Sequence, residues 1–130
     1  MMITLDDLVY AIPLAWTNET RGDDKYKGYV PEGYRTTMAA GQCIVSSLLV
    51  QRHQGGNIMG CHVTDIPHYF NELENGMWVD TTRSQFVGHK SVSSIRKVKR
   101  NPKAKGYIFD DTRERVDLLE RRVEEALSWR

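Results

Sequence analysis

Gly41-Gln42-Cys43-Ile44-Val45-Ser46-Ser47-Leu48-Leu49-Val50 reads as a turn that feeds a buried helix, with a cysteine on the first turn of that helix. Ile44, Val45, Leu48 and Leu49 recur at the spacing of one helical face. Gly41 lets the chain turn sharply before the helix begins. Gly55-Gly56 supplies the left-handed residues that close its far end, so the helix is expected over about 42–54. The unpaired N–H groups and positive dipole end of a helix favour a thiolate, the reactive form of cysteine. Cys43 thus has two readings: a nucleophile, or a small apolar residue in a core, which is the commonest fate of a free thiol.

Working outward, the hydrophobic period changes after Gly55-Gly56. Residues 57–63 read as a strand, Thr64-Asp65-Ile66-Pro67 as a connection, and residues 68–73 as a second strand. Asn75-Gly76 is the strongest hairpin signal in the chain, with the returning strand expected near 77–82. This hairpin carries chemistry. A cysteine nucleophile needs a base for its proton, and the base needs a third group to hold its tautomer and orientation. His68 opens one strand and Asp80 lies on its partner. A two-residue Asn75-Gly76 loop sets Asp80 opposite Asn71 and puts His68 and Asp80 on opposite faces. A three-residue loop, Glu74-Asn75-Gly76, sets Asp80 opposite Phe70, on the same face as His68 and diagonal to it. Such a loop wants glycine in the left-handed position, and Gly76 provides it. A catalytic arrangement of Cys43, His68 and Asp80 therefore requires the odd loop.

These residues resemble a family. Gly41-Gln42-Cys43-Ile44-Val45-Ser46-Ser47-Leu48, Gln51, Gly55-Gly56, His68-Tyr69-Phe70-Asn71, Asn75-Gly76 and Asp80-Thr81-Thr82-Arg83-Ser84-Gln85-Phe86 are similar to the YunG-like family. That family comprises small bacterial and phage proteins with a papain-like or transglutaminase-like look. The resemblance spans about Trp16 to Phe86. Its motifs are more specific as a family mark than as a mark of function. It implies Cys43, His68 and Asp80 as catalytic positions, in the chain order of the transglutaminase branch of papain-like enzymes. It also implies one cysteine-protease-like domain over 1–130. Gln42 departs from the papain pattern, in which the oxyanion glutamine lies several residues before the cysteine. Gln42 and Arg83 are accordingly support candidates, and the backbone N–H of Cys43 is a further oxyanion donor. Arg83, Gln85 and Phe86 either brace Asp80 or are end-of-strand packing.

The rest of the chain supplies a frame. The expected fold is α+β: a central helix carrying Cys43 on a small antiparallel sheet, with N- and C-terminal helices outside. Thr4 to about Trp16 reads as the first helix, capped by Thr4, with Asp6 and Asp7 in its first turn and Pro13 near its end. The last helix starts at Asp110, Asp111 or Thr112 and carries a stripe of Val116, Leu119, Val123, Ala126 and Leu127. Thr17 to Ala40 has no period and reads as a long loop, with Tyr26, Tyr29 and Tyr34 either pinning it or lining a groove. Phe86 and Val87 begin another short extended piece.

The chain has 130 residues, 40% hydrophobic and 27% charged, which suits one domain with its own core. A net charge of +1 gives no global argument for nucleic acid or an anionic membrane. The N-terminus has acids where a signal peptide has bases, and no stretch is long enough to span a bilayer, so a cytoplasmic protein with free Cys43 and Cys61 is expected. The leading functional expectation is a thiol hydrolase or acyl transferase: protease, isopeptidase, deamidase or transglutaminase-like. Its partner would be a peptide or protein substrate, with no cofactor and no metal. The alternative is a catalytically idle papain-like module that binds an acidic partner or nucleic acid. It would use the 90–105 stretch, where Lys90, Arg96, Lys97, Lys99, Arg100, Lys103 and Lys105 occur without an acid. That stretch otherwise reads as a solvated face. A metal site from Cys61, His62 and His68 ranks last, because adjacent strand residues point to opposite faces and the spacing matches no zinc pattern.

Overall fold

The computed structural model describes residues 2–17, 19–20, 42–64, 66–83, 91–98 and 112–130. The first helix, α1 (Leu5–Ala15), starts with a capping box. The Thr4 hydroxyl accepts from the Asp7 N–H at 3.1 Å, and the Asp7 carboxylate accepts from the Thr4 N–H at 3.0 Å. These bonds from Thr4, with Arg130 beside it, hold the Asp7 carboxyl below its usual range. Arg130 bonds Asp7 at 2.6 Å and lies over the Tyr10 ring, tying the end of the chain to its beginning. Leu8, Ala11, Ile12 and Ala15 form the buried face of α1, and Pro13 is accommodated on its exposed side.

The helix α2 (Cys43–Gln54) lies at the centre. It packs on the sheet and on both other helices, so it is buried on more than one side. Two polar ties fix it: Ser46 Oγ accepts from the Trp16 indole N–H at 2.9 Å, and the Ser47 carbonyl accepts from the Asn71 amide at 2.9 Å. α2 ends at Gly55-Gly56. A Cβ on Gly56, where φ is +79°, would come within 2.3 Å of the Glu72 carbonyl, so the sharp entry into the sheet requires glycine. The last helix, α3 (Thr112–Ser128), packs Val116, Leu119 and Val123 against α1 and α2.

The sheet has four antiparallel strands in the order β3-β2-β1-β4: β1 (Asn57–Val63), β2 (Ile66–Glu72), β3 (Trp78–Val79) and β4 (Val92–Lys97). Its two faces differ. Leu73, with Tyr69 and Val79, joins the helical core, whereas Met59, Cys61, Val63 and Phe70 form a separate apolar cluster. The hairpin takes the three-residue form. Leu73 N–H bonds the Met77 carbonyl at 2.8 Å, Asn71 pairs with Val79, and Gly76 has φ +88°.

Three strand expectations are corrected. The 64–67 connection is shorter than expected, because Ile66 and Pro67 already belong to β2. Pro67 is tolerated there because β3 pairs with β2 only at Asn71 and Glu72. The returning strand is likewise shorter than 77–82. The described part of the basic stretch contains β4, whose residues are all exposed and therefore show no apolar alternation. The 86–87 piece and most of the 17–40 loop lie outside the described residues, as does 99–105. Among the described residues, no helix is long and apolar enough to cross a membrane.

Leu119 is fully buried between the three helices. Leu119→Ala is expected to cost about 2–5 kcal/mol in chemical denaturation, with the slope of the transition unchanged.

Candidate functional site

The odd hairpin has the consequence expected of it. Asn71 pairs with Val79, so Asp80 comes opposite Phe70 and on the face of His68. His68 Nε2 lies 2.7 Å from Asp80 Oδ2. Asp80 is itself fixed, because the backbone N–H and hydroxyl of Thr82 both donate to its other oxygen, at 3.1 and 3.2 Å. Thr82 is buried, and an aspartate that accepts from the residue two places on forms a compact turn at the end of the strand. The carboxylate therefore faces the imidazole in one orientation.

Cys43 is the first residue of α2 and is half-buried. It lies close enough to His68 for its thiol to help raise the pKa of the ring. The structure thus brings Cys43, His68 and Asp80 together around one imidazole, which is 1% exposed. Burial works against a charged ring. The hydrogen bonds and charges of Asp80 and Cys43 outweigh it and raise the His68 pKa from 6.5 to about 9.

The two support candidates lie in different places. Gln42 is fully buried, and its amide is engaged with the segment after α1. Nε2 donates to the Thr17 carbonyl at 2.9 Å, and Oε1 accepts from the Thr20 hydroxyl at 2.8 Å. It anchors the start of α2 from inside. Arg83 is exposed and lines a cavity beside the imidazole.

Two features escaped the sequence. Cys61 pairs directly with His68 across β1 and β2. Burial, reinforced by Asp80 and Cys43, pushes its thiol pKa up. Beside this pair lies a cavity of about 340 Å³, walled by Val63, Phe70, Trp78, Val92 and Ile95. His68, Asp80 and Cys61 contribute to the same wall. Strand alternation already puts His68, Phe70 and Glu72 on one face, but Val92 and Ile95 come from the unrecognised β4. A bulge there sets Ser94 and Ile95 against Cys61 alone. His62 points to the other face of β1 from Cys61. Among the described residues, no group of three or more His, Cys, Asp or Glu could hold a metal ion.

The fold and site together define an α+β protein with a cysteine, a histidine and an aspartate converging on one buried imidazole. The chain belongs to the YunG family: the family model described as YunG protein matches residues 4–128. No curated protein and no solved structure matches it.

The raised pKa of His68 links charge to stability. The folded value, about 9, exceeds the ordinary 6.5, so the favourable contribution is complete below pH 6.5. It shrinks as pH rises and is gone above about 9, an upper bound of about 3 kcal/mol. Thermal unfolding should therefore show stability falling between these pH values in the wild type. In Asp80→Asn the fall should be flatter, because a main cause of the raised value is removed.

Proposed function

We propose that this protein is a thiol hydrolase or acyl transferase in which Cys43 is the nucleophile, His68 its proton partner and Asp80 the group that orients His68. The observation that carries this reading is the buried His68 ring, bonded to the Asp80 carboxylate at 2.7 Å and near enough to the Cys43 thiol for the thiol to raise its pKa. Asp80 holds Nε2, which assigns Nδ1 to the exchange with sulfur. The Cys43 thiolate attacks the substrate carbonyl carbon beside the protonated His68 ring, and a carbon–sulfur bond forms. His68 then gives its proton to the departing amine, the carbon–nitrogen bond breaks, and a thioester remains. Water or a second amine attacks the thioester, His68 takes the attacker's proton, and the thiolate is restored.

The Cys43 backbone N–H, in the turn where helical N–H groups lack intrahelical acceptors, is the donor assigned to the oxyanion. The reading carries with it a papain-like or transglutaminase-like core, a peptide or protein substrate, and a reducing, cytoplasmic setting. Hydrolysis of a peptide or isopeptide, deamidation, and transfer to an amine all pass through the same thioester.

A second reading, a binding module without catalysis, draws support from β4. That strand is one of the two outer strands of the described sheet, and both Arg96 and Lys97 are exposed on it. Alkylation separates the two readings. With iodoacetamide near neutral pH, Cys43 should label faster than Cys61. His68→Gln should slow Cys43 by roughly tenfold or more while leaving Cys61 slow. Equal labelling of both thiols, unaffected by His68→Gln, would favour the binding module.

A further inference from the structure

The apolar cavity shares a wall with His68 and Asp80, yet Cys43 is not among its lining residues. This asymmetry acquires a chemical meaning under the acyl-transfer reading, on which the inference rests. In such a reaction the acyl carbon sits on the sulfur, while the departing or attacking nitrogen must sit at the imidazole. A cavity walled by the imidazole lies next to that nitrogen. We propose that the cavity bounded by Val63, Phe70, Trp78 and Ile95 is the amine-side pocket, and that it selects amines bearing a bulky apolar or aromatic side chain.

Size, lining and charge favour this occupant. About 340 Å³ lies at the lower end of the ligand-site range, enough for one large side chain and its adjoining backbone. Phe70 and Trp78 meet edge to face at 5.2 Å between centroids, which gives the occupant an aromatic wall. Trp78 is 52% exposed and Ile95 46%, so both offer apolar surface at the opening. Both Asp80 oxygens are engaged, one by His68 and one by Thr82, while Arg83 contributes a positive charge. A lysine side chain would therefore meet the Arg83 cation, with the Asp80 carboxylate already bonded on both oxygens. Ammonia, the amine released in deamidation, would leave the cavity unused. The pocket thus narrows the reaction to amide bonds whose nitrogen belongs to a bulky apolar residue, made or cut.

Competition between amines tests this with a generic acyl group in place of the natural one. p-Nitrophenyl acetate acetylates Cys43 and releases p-nitrophenolate. The thioester is then offered phenylalanine amide, glycine amide and lysine amide at equal concentrations. Attack by the amine forms the acetyl amide and frees the Cys43 thiol. Phenylalanine amide should capture about tenfold more acetyl than either competitor. Ile95→Glu, a change at a half-exposed edge position, should bring the ratio near unity. Equal capture by the three amines, or a preference that survives Ile95→Glu, overturns the pocket while leaving the thiol chemistry standing.

If Cys43 is not acetylated, the acyl-transfer reading fails, and the pocket is judged by binding alone. A saturable change in tryptophan fluorescence with phenylalanine amide, absent with glycine amide and lost in Ile95→Glu, sustains an apolar amine pocket. No such change overturns it.

Discussion

The hydrogen bond between His68 and Asp80 depends on a single residue of loop length. Strand side chains alternate with a period of two, so one residue more or less between Leu73 and Met77 would carry Asp80 to the other face. The three-residue loop, closed by Gly76 at φ +88°, fixes the parity. The surroundings of Asp80 inherit from this. Thr82 can hold Asp80 only where the strand ends, and the end of β3 is set by the same loop. Shortness also matters. Because β3 pairs with β2 at two positions only, the chain beyond Val79 is released from the ladder and can bring a carboxylate onto His68.

Cys43 reaches the same imidazole from a different direction and by different physics. α2 is held in place by burial on several sides and by polar ties that leave little freedom to shift. Gln42 is bound to Thr17 and Thr20, Ser46 to Trp16, and the Ser47 carbonyl to Asn71. Asn71 comes from the β2 strand that carries His68, so one strand sets the distance between helix and base. Its neighbours divide by face: Tyr69 and Asn71 turn to the helices, and His68 and Phe70 to the cavity. The cost of the arrangement is a buried ring that tends to stay charged, and the two partners on it meet that cost.

Much of this was legible in the chain because the signals were local and strong. Thr4 and Asp7 announced α1, the glycine pair announced the end of α2, and Asn75-Gly76 announced the hairpin whose odd form puts His68 and Asp80 together. What was not legible lacked a local signal. The turn between β1 and β2 uses Thr64 at φ +46°, a conformation a β-branched residue rarely adopts, so the sequence there resembles a plain connection. β4 is an exposed edge strand rich in serine and base, and strand periodicity is visible only where one face is buried. The cavity was hidden for the same reason, since two of its walls come from β4. Gln42 was identified as a support residue from its place beside Cys43. Its actual bonds run to residues more than twenty positions earlier, and no spacing rule encodes them.

The central claim is that one imidazole is held between a carboxylate and a thiol, and nitrogen-15 NMR of the His68 ring observes this directly. The wild-type ring should titrate near pH 9, with both nitrogens protonated at neutrality. In Cys43→Ala its pKa should fall, because the thiol's share of the upward shift is lost. A wild-type ring that titrates near its ordinary 6.5 and ignores the loss of Cys43 would contradict the account.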